Sequence, residues 1–293
     1  IRKPLQGSPP PHGLPCNWNG TKTIVVDGLR YDRCMKKILA LIFVGLALFA
    51  SPAFAQQFKV LVAAIPNQYH NDYTVIAKPQ FERLARQHDF GLTWTWNTSA
   101  FNADLSQYAS IVFLNTPGEE LDAAQRRKLE AYVRGGGGIV AVHRALIFNP
   151  PGDWPWFETL IGRSFRIHPM VQTATVRVRD PAFPATFGLP SRWIWSDEWY
   201  EFGAPLVPGL RTVLSVDETS YDPTRIWPGQ VARGMGAEHP VAWYHAYDGG
   251  GVFVTALGHP PAAYEGRLYL DHLYGGIWWA ATGKGIDPAT GSE

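Results

Sequence analysis

Three histidines stand directly before proline: His168 in IHPM, His239 in EHPV and His259 in GHPP. A residue before proline is pushed into extended geometry, which fixes the direction of its side chain. Imidazole titrates near neutrality, so a fixed histidine suits a general acid, a general base or a metal ligand. His143 ends the apolar run of GGGGIVAVH, where α/β enzymes often hold a nucleophile on a strand-to-helix turn. A histidine there cannot act as a serine-type nucleophile, but it can move a proton or bind a metal. His70 lies in NQYHND, and SDEWYEF places Asp197 and Glu198 among Trp195, Trp199 and Tyr200. A carboxylate set among aromatic rings is expected to have a raised pKa and to serve as acid or base. Taken singly, each of these residues also fits a hydrogen-bonded core histidine or a solvated carboxylate. Four or five of them at one sheet edge would not be explained by packing.

The elements that must position them follow from hydrophobic periodicity. FKVLVAAI (58–65) and ASIVFLN (109–115) read as buried strands, LTWTW (92–96) as an alternating strand and GIVAVH as the fourth strand. TVIAKPQFERLARQH is helical, with its start expected near Pro79. LDAAQRRKLEAYVRGG is a second helix that stops at Gly135. The four glycines leave a helix and enter a strand, so they read as a helix stop and tight turn. A phosphate loop runs the other way. DWPWF predicts a helix entry capped by Asp153, with tryptophans that could also wall a pocket. VQTATVRVRD, RTVLSVDE, PVAWYHAY and GVFVTALGH make the second half strand-rich. A final helix is expected to turn Leu268, Leu273, Ile277 and Trp278 inward. Alternating strands and helices predict an α/β fold: a flavodoxin-like, mostly parallel sheet with helices on both faces. Ligands of such sheets bind outside the carboxyl ends of the strands. PNQYHND, NTPGEE and HRALIF leave those ends here.

The chain opens with a segment of different character. MKKILALIFVGLALFASPAFAQQ carries a charged start, a short apolar run and an A-x-A site at 53–55, the pattern of a secretory signal peptide over 35–55. Residues 1–34, Pro-rich and without periodicity, read as an upstream extension foreign to the native protein. The alternative is a disordered extension with an internal anchor. Cleavage would leave a single domain over 56–283, a tail over 284–293, and no permanent membrane span. Cys16 and Cys34 both precede the cleavage site, so the mature chain has neither a disulfide nor a thiol nucleophile. A periplasmic or secreted location is expected. The mature part carries 19 basic and 23 acidic residues, which argues against nucleic acid as a partner. Its tryptophans can line a sugar site, because flat aromatic faces suit the apolar faces of carbohydrate rings.

Read in order, FLNTPGEELDAAQRRKLEAYVRGGGGIVAVH, DWPWFETLIG, TATVRVRDPAFPATFGLP, SDEWYEF, GAEHPVAWYHAYDGGGVFVTALGH and HLYGGIWWAATG resemble the trehalose-utilisation (ThuA-like) family from Phe58 to about Gly283. The resemblance implies a fold like that of class I glutamine amidotransferases. Their cysteine is absent, so thiol-dependent amide hydrolysis is not implied. It also implies a role in carbohydrate handling, often alongside sugar oxidoreductases. His70, His143, His168, Asp197, Glu198, His239 and His259 fall on the family's motif positions. Arg144 departs from the small residue that commonly follows the strand-end histidine. A cation there would discourage protonation of His143 and could recognise an anionic or carbonyl-bearing substrate.

Two functions fit this inventory. One is an enzyme acting on a sugar or keto-sugar by isomerisation, elimination or hydrolysis. His143, His259, Glu198 and Asp197 would be catalytic, with His70, Arg144, His168, His239, Trp199 and Trp154 contacting substrate. The other is a periplasmic carbohydrate-binding module without turnover. HExxH, zinc-ribbon and EF-hand patterns are absent, yet a divalent metal gathered from distant His and carboxylate groups fits either reading. No cofactor, oligomeric state or particular sugar follows from the sequence.

Overall fold

The computed structural model describes residues 56–285, and the leader and tail assignments lie outside them. The strands are β1 (Lys59–Ala63), β2 (Gly91–Thr95), β3 (Ser110–Leu114), β4 (Gly138–Val142), β5 (Arg163–Ile167), β6 (Gln172–Val178), β7 (Arg192–Asp197), β8 (Glu201–Pro205), β9 (Arg211–Asp217), β10 (Pro240–Tyr247) and β11 (Gly250–Thr255). The helices are α1 (Tyr73–Gln87), α2 (Ala123–Arg134), α3 (Pro155–Ile161) and α4 (Arg267–Thr282). Nine strands form one sheet in the order β2-β1-β3-β4-β11-β10-β9-β6-β7, and β5 pairs with β8 in a small second sheet. The first five are parallel, and the rest of the large sheet is antiparallel. The parallel part has the flavodoxin-like order, with β11 completing what β1 to β4 begin.

Side-chain alternation explains the layers. Val60 and Val62 of β1 face one core with Phe81 and Leu84 of α1 and Leu273 and Ile277 of α4. Leu61 and Ala63 face the opposite core with Leu129 and Val133 of α2 and Phe157 and Leu160 of α3. A strand buried on both faces reads as a continuous apolar run. Asp122 caps α2 in a reciprocal box with Gln125, and Gly135 ends it. Gly138 allows α4 to lie against β4, since a Cβ there would sit 2.0 Å from the Ala280 carbonyl oxygen.

Four local expectations are corrected. Helix α1 begins at Tyr73 and carries Pro79 inside it. The amide bond that Pro79 removes would have gone to the carbonyl of Val75, an exposed residue, where water can replace it. Trp154, rather than Asp153, precedes α3, with Pro155 in its first turn, and Asp153 pairs with Arg126. Leu273 and Ile277 of α4 are buried as expected, but Leu270 and Trp279 are buried in place of Leu268 and Trp278, which are half-buried. SDEWYEF joins the two sheets: it leaves the edge strand β7, crosses residues 198–200 without regular structure and enters β8, so its carboxylates are not the solvated ones that a surface position would give. Its first two residues end β7 and its last two begin β8. Among the described residues no helix is long and apolar enough to cross a membrane.

Candidate functional site

The carboxyl ends of β1, β3, β4 and β11 converge, and the residues that follow them meet. β4 stops at Val142, and His143 then takes a left-handed backbone conformation, φ 50°. Non-glycine residues rarely hold that conformation, and where they do the strain often serves a site. His143 is fully buried. Its Nδ1–H donates to the Ala256 carbonyl just past β11, 2.7 Å away. A carbonyl only accepts, so in the neutral ring Nε2 holds the lone pair and faces the cluster. The Tyr200 hydroxyl donates to that Nε2 at 2.9 Å, and Glu198 Oε2 lies 3.4 Å from it.

His259 and His70 complete the group. His259 Nδ1 is 3.3 Å from Glu198 Oε2 and 3.2 Å from His70 Nε2. His168 Nε2 lies 3.6 Å from the same Glu198 oxygen, and its Nδ1–H donates to the Pro169 carbonyl at 2.9 Å. One ligand-competent nitrogen from each of His70, His143 and His259 falls within 4.8 Å of the others. A tetrahedral ion with bonds of about 2.0–2.1 Å holds its ligands about 3.3 Å apart. The Glu198 and histidine separations match that spacing and are long for hydrogen bonds. The His143 bond to Ala256 is the outer contact that commonly fixes a metal-binding imidazole.

The electrostatics favour the ligating forms. Burial, then the neighbouring His143 and His259, draw the His70 pKa down to about 2. Burial likewise lowers His259, against the pull of Glu198. For Glu198 burial acts upward, but the neighbouring His143, then His168 and His259, prevail and bring it to about 2, the reverse of the raised value expected from its aromatic neighbours. Burial raises Tyr200 well above the usual phenol range, so it remains a hydrogen-bond donor. The pH consequence has one sign. A histidine depressed in the folded state gives stability that is complete above about pH 6.5 and is lost as pH falls toward the folded value. His70 and His272, the latter lowered by burial to about 4, both act this way. Urea titrations at successive pH values should therefore show stability falling below pH 6 by roughly 1.4 kcal/mol per pH unit for each such histidine. A flat profile from pH 7 to 5 would contradict these buried neutral rings.

Asp197 does not face the cluster as an open acid. It is fully buried and accepts four N–H groups: Gly258 at 2.8 Å, His259 at 3.1 Å, Glu198 at 3.0 Å and the Trp195 indole at 2.9 Å. Burial raises its pKa, and His143 and those donors oppose the rise. Its geometry is that of a clamp on the turn carrying His259. Gly258 sits at φ 120°, and a Cβ there would meet the Tyr269 hydroxyl at 2.2 Å. Only glycine lets the chain pass there.

The other predicted residues are placed elsewhere. Arg144 donates to Glu119 at 2.9 Å and to the Ile147 carbonyl at 2.7 Å, so its charge is already paired. His239 lies behind the site, with Nε2 2.9 Å from the Tyr200 carbonyl and Nδ1 2.5 Å from Glu218. The Trp199 indole donates to the Gln172 carbonyl and its ring is fully buried. Trp154 stacks on Phe157 and donates to Glu130. Sequence reasoning missed Tyr200 and Asn115 as site residues. Asn115, also left-handed at φ 49°, accepts from the Arg144 amide and donates to the Tyr264 hydroxyl. Its carbonyl accepts from Asn67, so one residue ties the turns after β1, β3 and β4 together. The available signal was the NTPGEE turn, which follows a parallel strand.

The sheet order is that of a flavodoxin-like α/β protein, with a histidine–carboxylate cluster at the carboxyl edge of its parallel strands. The model of the ThuA family, described as trehalose utilisation, matches residues 59–280, and the chain belongs to that family. This places the protein in carbohydrate metabolism. A ThuA-like protein from Bacteroides uniformis is 24% identical, with 79% of this chain and 94% of that one aligned at a TM-score of 0.66. A second, from Parabacteroides merdae, is 22% identical over 78% and 92% at a TM-score of 0.62. No curated protein matches the sequence.

Proposed function

We propose that the protein is an enzyme that acts on a sugar or keto-sugar at a divalent-metal centre held by His70, His143, His259 and Glu198. The observation that carries this reading is the convergence of three imidazole nitrogens and one carboxylate oxygen at ligand spacing, with the His143 tautomer fixed by Ala256. A bound ion would polarise a sugar carbonyl or hydroxyl oxygen. His168 is half-buried at the rim, and in its neutral form Nε2 holds a lone pair on the Glu198 side. In our reading it takes a proton from the carbon beside the carbonyl, and the C–H electron pair moves onto the carbonyl oxygen as an enolate. Return of the proton to the former carbonyl carbon, with the adjacent hydroxyl's proton passing to the enolate oxygen, gives isomerisation. Collapse of the enolate back to the carbonyl with breakage of a β C–O bond, the leaving oxygen taking the proton from His168, gives elimination. An ion on His143 Nε2 would displace the Tyr200 hydroxyl that donates there, and would free it to donate to the developing oxyanion. Support over a non-catalytic sugar module comes from the titratable cluster of His70, His143, His259 and Glu198, which stacking on a sugar ring does not require. Action in the periplasm or outside the cell belongs to the same proposal and rests on the leader pattern.

The test is turnover of keto-glucosides followed by NMR in deuterated buffer. The native protein should exchange or rearrange the carbon-bound hydrogen. His168→Ala should lower kcat by about 100-fold or more while retaining metal, in line with loss of a general base. Equal rates in the two proteins, or sugar binding without any chemistry, would remove the enzyme reading.

A further inference from the structure

Nineteen residues, Tyr221 to His239, separate the single turn after β9 from β10 without helix or strand of their own. Irregular segments of that length in compact domains are usually binding loops. This one is held in place at both ends. The Met170 amide donates to the Arg225 carbonyl at 2.9 Å, and Gln172 bonds to Asp222 through both its side-chain oxygen and nitrogen. On the return, Glu201 Oε1 accepts from the amides of Arg233 and Gly234, and Glu218 accepts from those of Met235 and Gly236. The middle is a turn, Trp227-Pro228-Gly229-Gln230. Gly229 has φ 83°, and the Gln230 amide donates to the Trp227 carbonyl at 3.1 Å. Proline second and a positive-φ glycine third are the requirements of a type II turn. So many fixed contacts hold in place a tip whose tryptophan is 44% exposed.

Trp227 stands against His168, perpendicular to it with ring centroids 5.3 Å apart. His168 is in turn next to Glu198. Trp96 is equally exposed, but its ring partner is Trp94, which lines a separate hollow with Phe90 and Arg86. Exposure alone would not single out Trp227, but its place beside His168 does, and a carbohydrate ring presents an apolar C–H face that suits an indole.

We propose that Trp227 is the platform on which the sugar ring stacks, and that the site therefore selects a cyclic sugar with an apolar face over an open-chain or small anionic substrate. This rests on the sugar-directed reading of the site and adds the residue that sets its specificity. The fixed loop makes the platform preformed, so little ordering is lost on binding. Trp227 is a binding residue and takes no part in proton transfer.

The experiment measures trehalose and glucose binding by saturation-transfer NMR and titration calorimetry, with native protein, Trp227→Ala and Trp227→Phe. Metal content and melting temperature are recorded for each. Trp227→Ala should weaken sugar binding about tenfold, the loss of one aromatic stacking contact. Trp227→Phe should recover most of that loss, with metal content and melting temperature unchanged in both. If native protein binds sugar and Trp227→Ala binds it equally well, the platform is wrong while the sugar-directed site stands. If Trp227→Ala loses metal or unfolds, the ring is structural and the proposal falls. If native protein binds neither sugar, the platform falls, and turnover of keto-glucosides decides separately whether the reading of the site stands.

Discussion

His143→Ala is expected to purify with less than a tenth of the divalent metal found in the native protein, and with turnover reduced to background. The variant removes the one ligand whose tautomer is fixed and whose ring is wholly enclosed. Each lost ligand leaves an incomplete coordination shell, and outer contacts alone already matter by 10–100-fold. A metal that binds only the folded chain also stabilises it, by about 2.7 kcal/mol at a hundredfold excess over its dissociation constant. For a domain of this size that corresponds to roughly 5–10 °C in melting temperature. Chelation of the native protein should therefore lower its melting temperature by that amount, and His143→Ala should be insensitive to chelator. Elemental analysis and thermal scans with and without EDTA read both effects. Native protein free of metal after expression in metal-supplemented medium, and unshifted by zinc, manganese or iron, would refute the centre.

Asp197→Ala should be among the most destabilising single substitutions in the protein, at about 3–5 kcal/mol. The carboxylate is fully buried and alone serves four N–H donors from three separate points of the chain, β7, the turn after it and the turn after β11. Removing it strands those donors away from water. The damage should not be confined to stability, because the His259 amide is one of the four. With the clamp gone, His259 loses its direction, and metal affinity should fall even under conditions where the variant remains folded. Urea denaturation gives the first quantity, and metal titration at low temperature gives the second. A loss below about 1 kcal/mol would show that water or a neighbouring group replaces the carboxylate, in contrast to the usual cost of stranded buried donors.

Much of the site was legible because particular residue types follow particular strands. His143 comes directly after an apolar run, and His70 and His259 lie in the turns that follow theirs; parallel strands deliver such residues to the same edge. Glu198 was legible as one of a pair, but which member of the pair faces the histidines was not. Adjacent residues of an extended chain point to opposite sides. Here Asp197 turns toward the backbone of Gly258 and His259, while Glu198 turns toward the imidazoles. Arg144 shows another limit. Sequence places a cation beside His143, but its partner Glu119 lies on a different turn, and pairing across turns is a tertiary event.

Sequence by itself determined the α/β class, the parallel flavodoxin-like half, the family and the histidines near the strand ends, since all of these follow from local periodicity and linear motif order; the antiparallel extension β10-β9-β6-β7 was legible only as a strand-rich second half. Tertiary structure decided which rings face one another, that Tyr200 and Asn115 belong to the site, that Trp154 and Trp199 are packed inside, and that a loop brings Trp227 to the rim. The physical reason is range. Hydrophobic period and turn chemistry act over a few residues, whereas the spacing of ligand atoms is set by contacts between segments as much as 189 positions apart, as between His70 and His259.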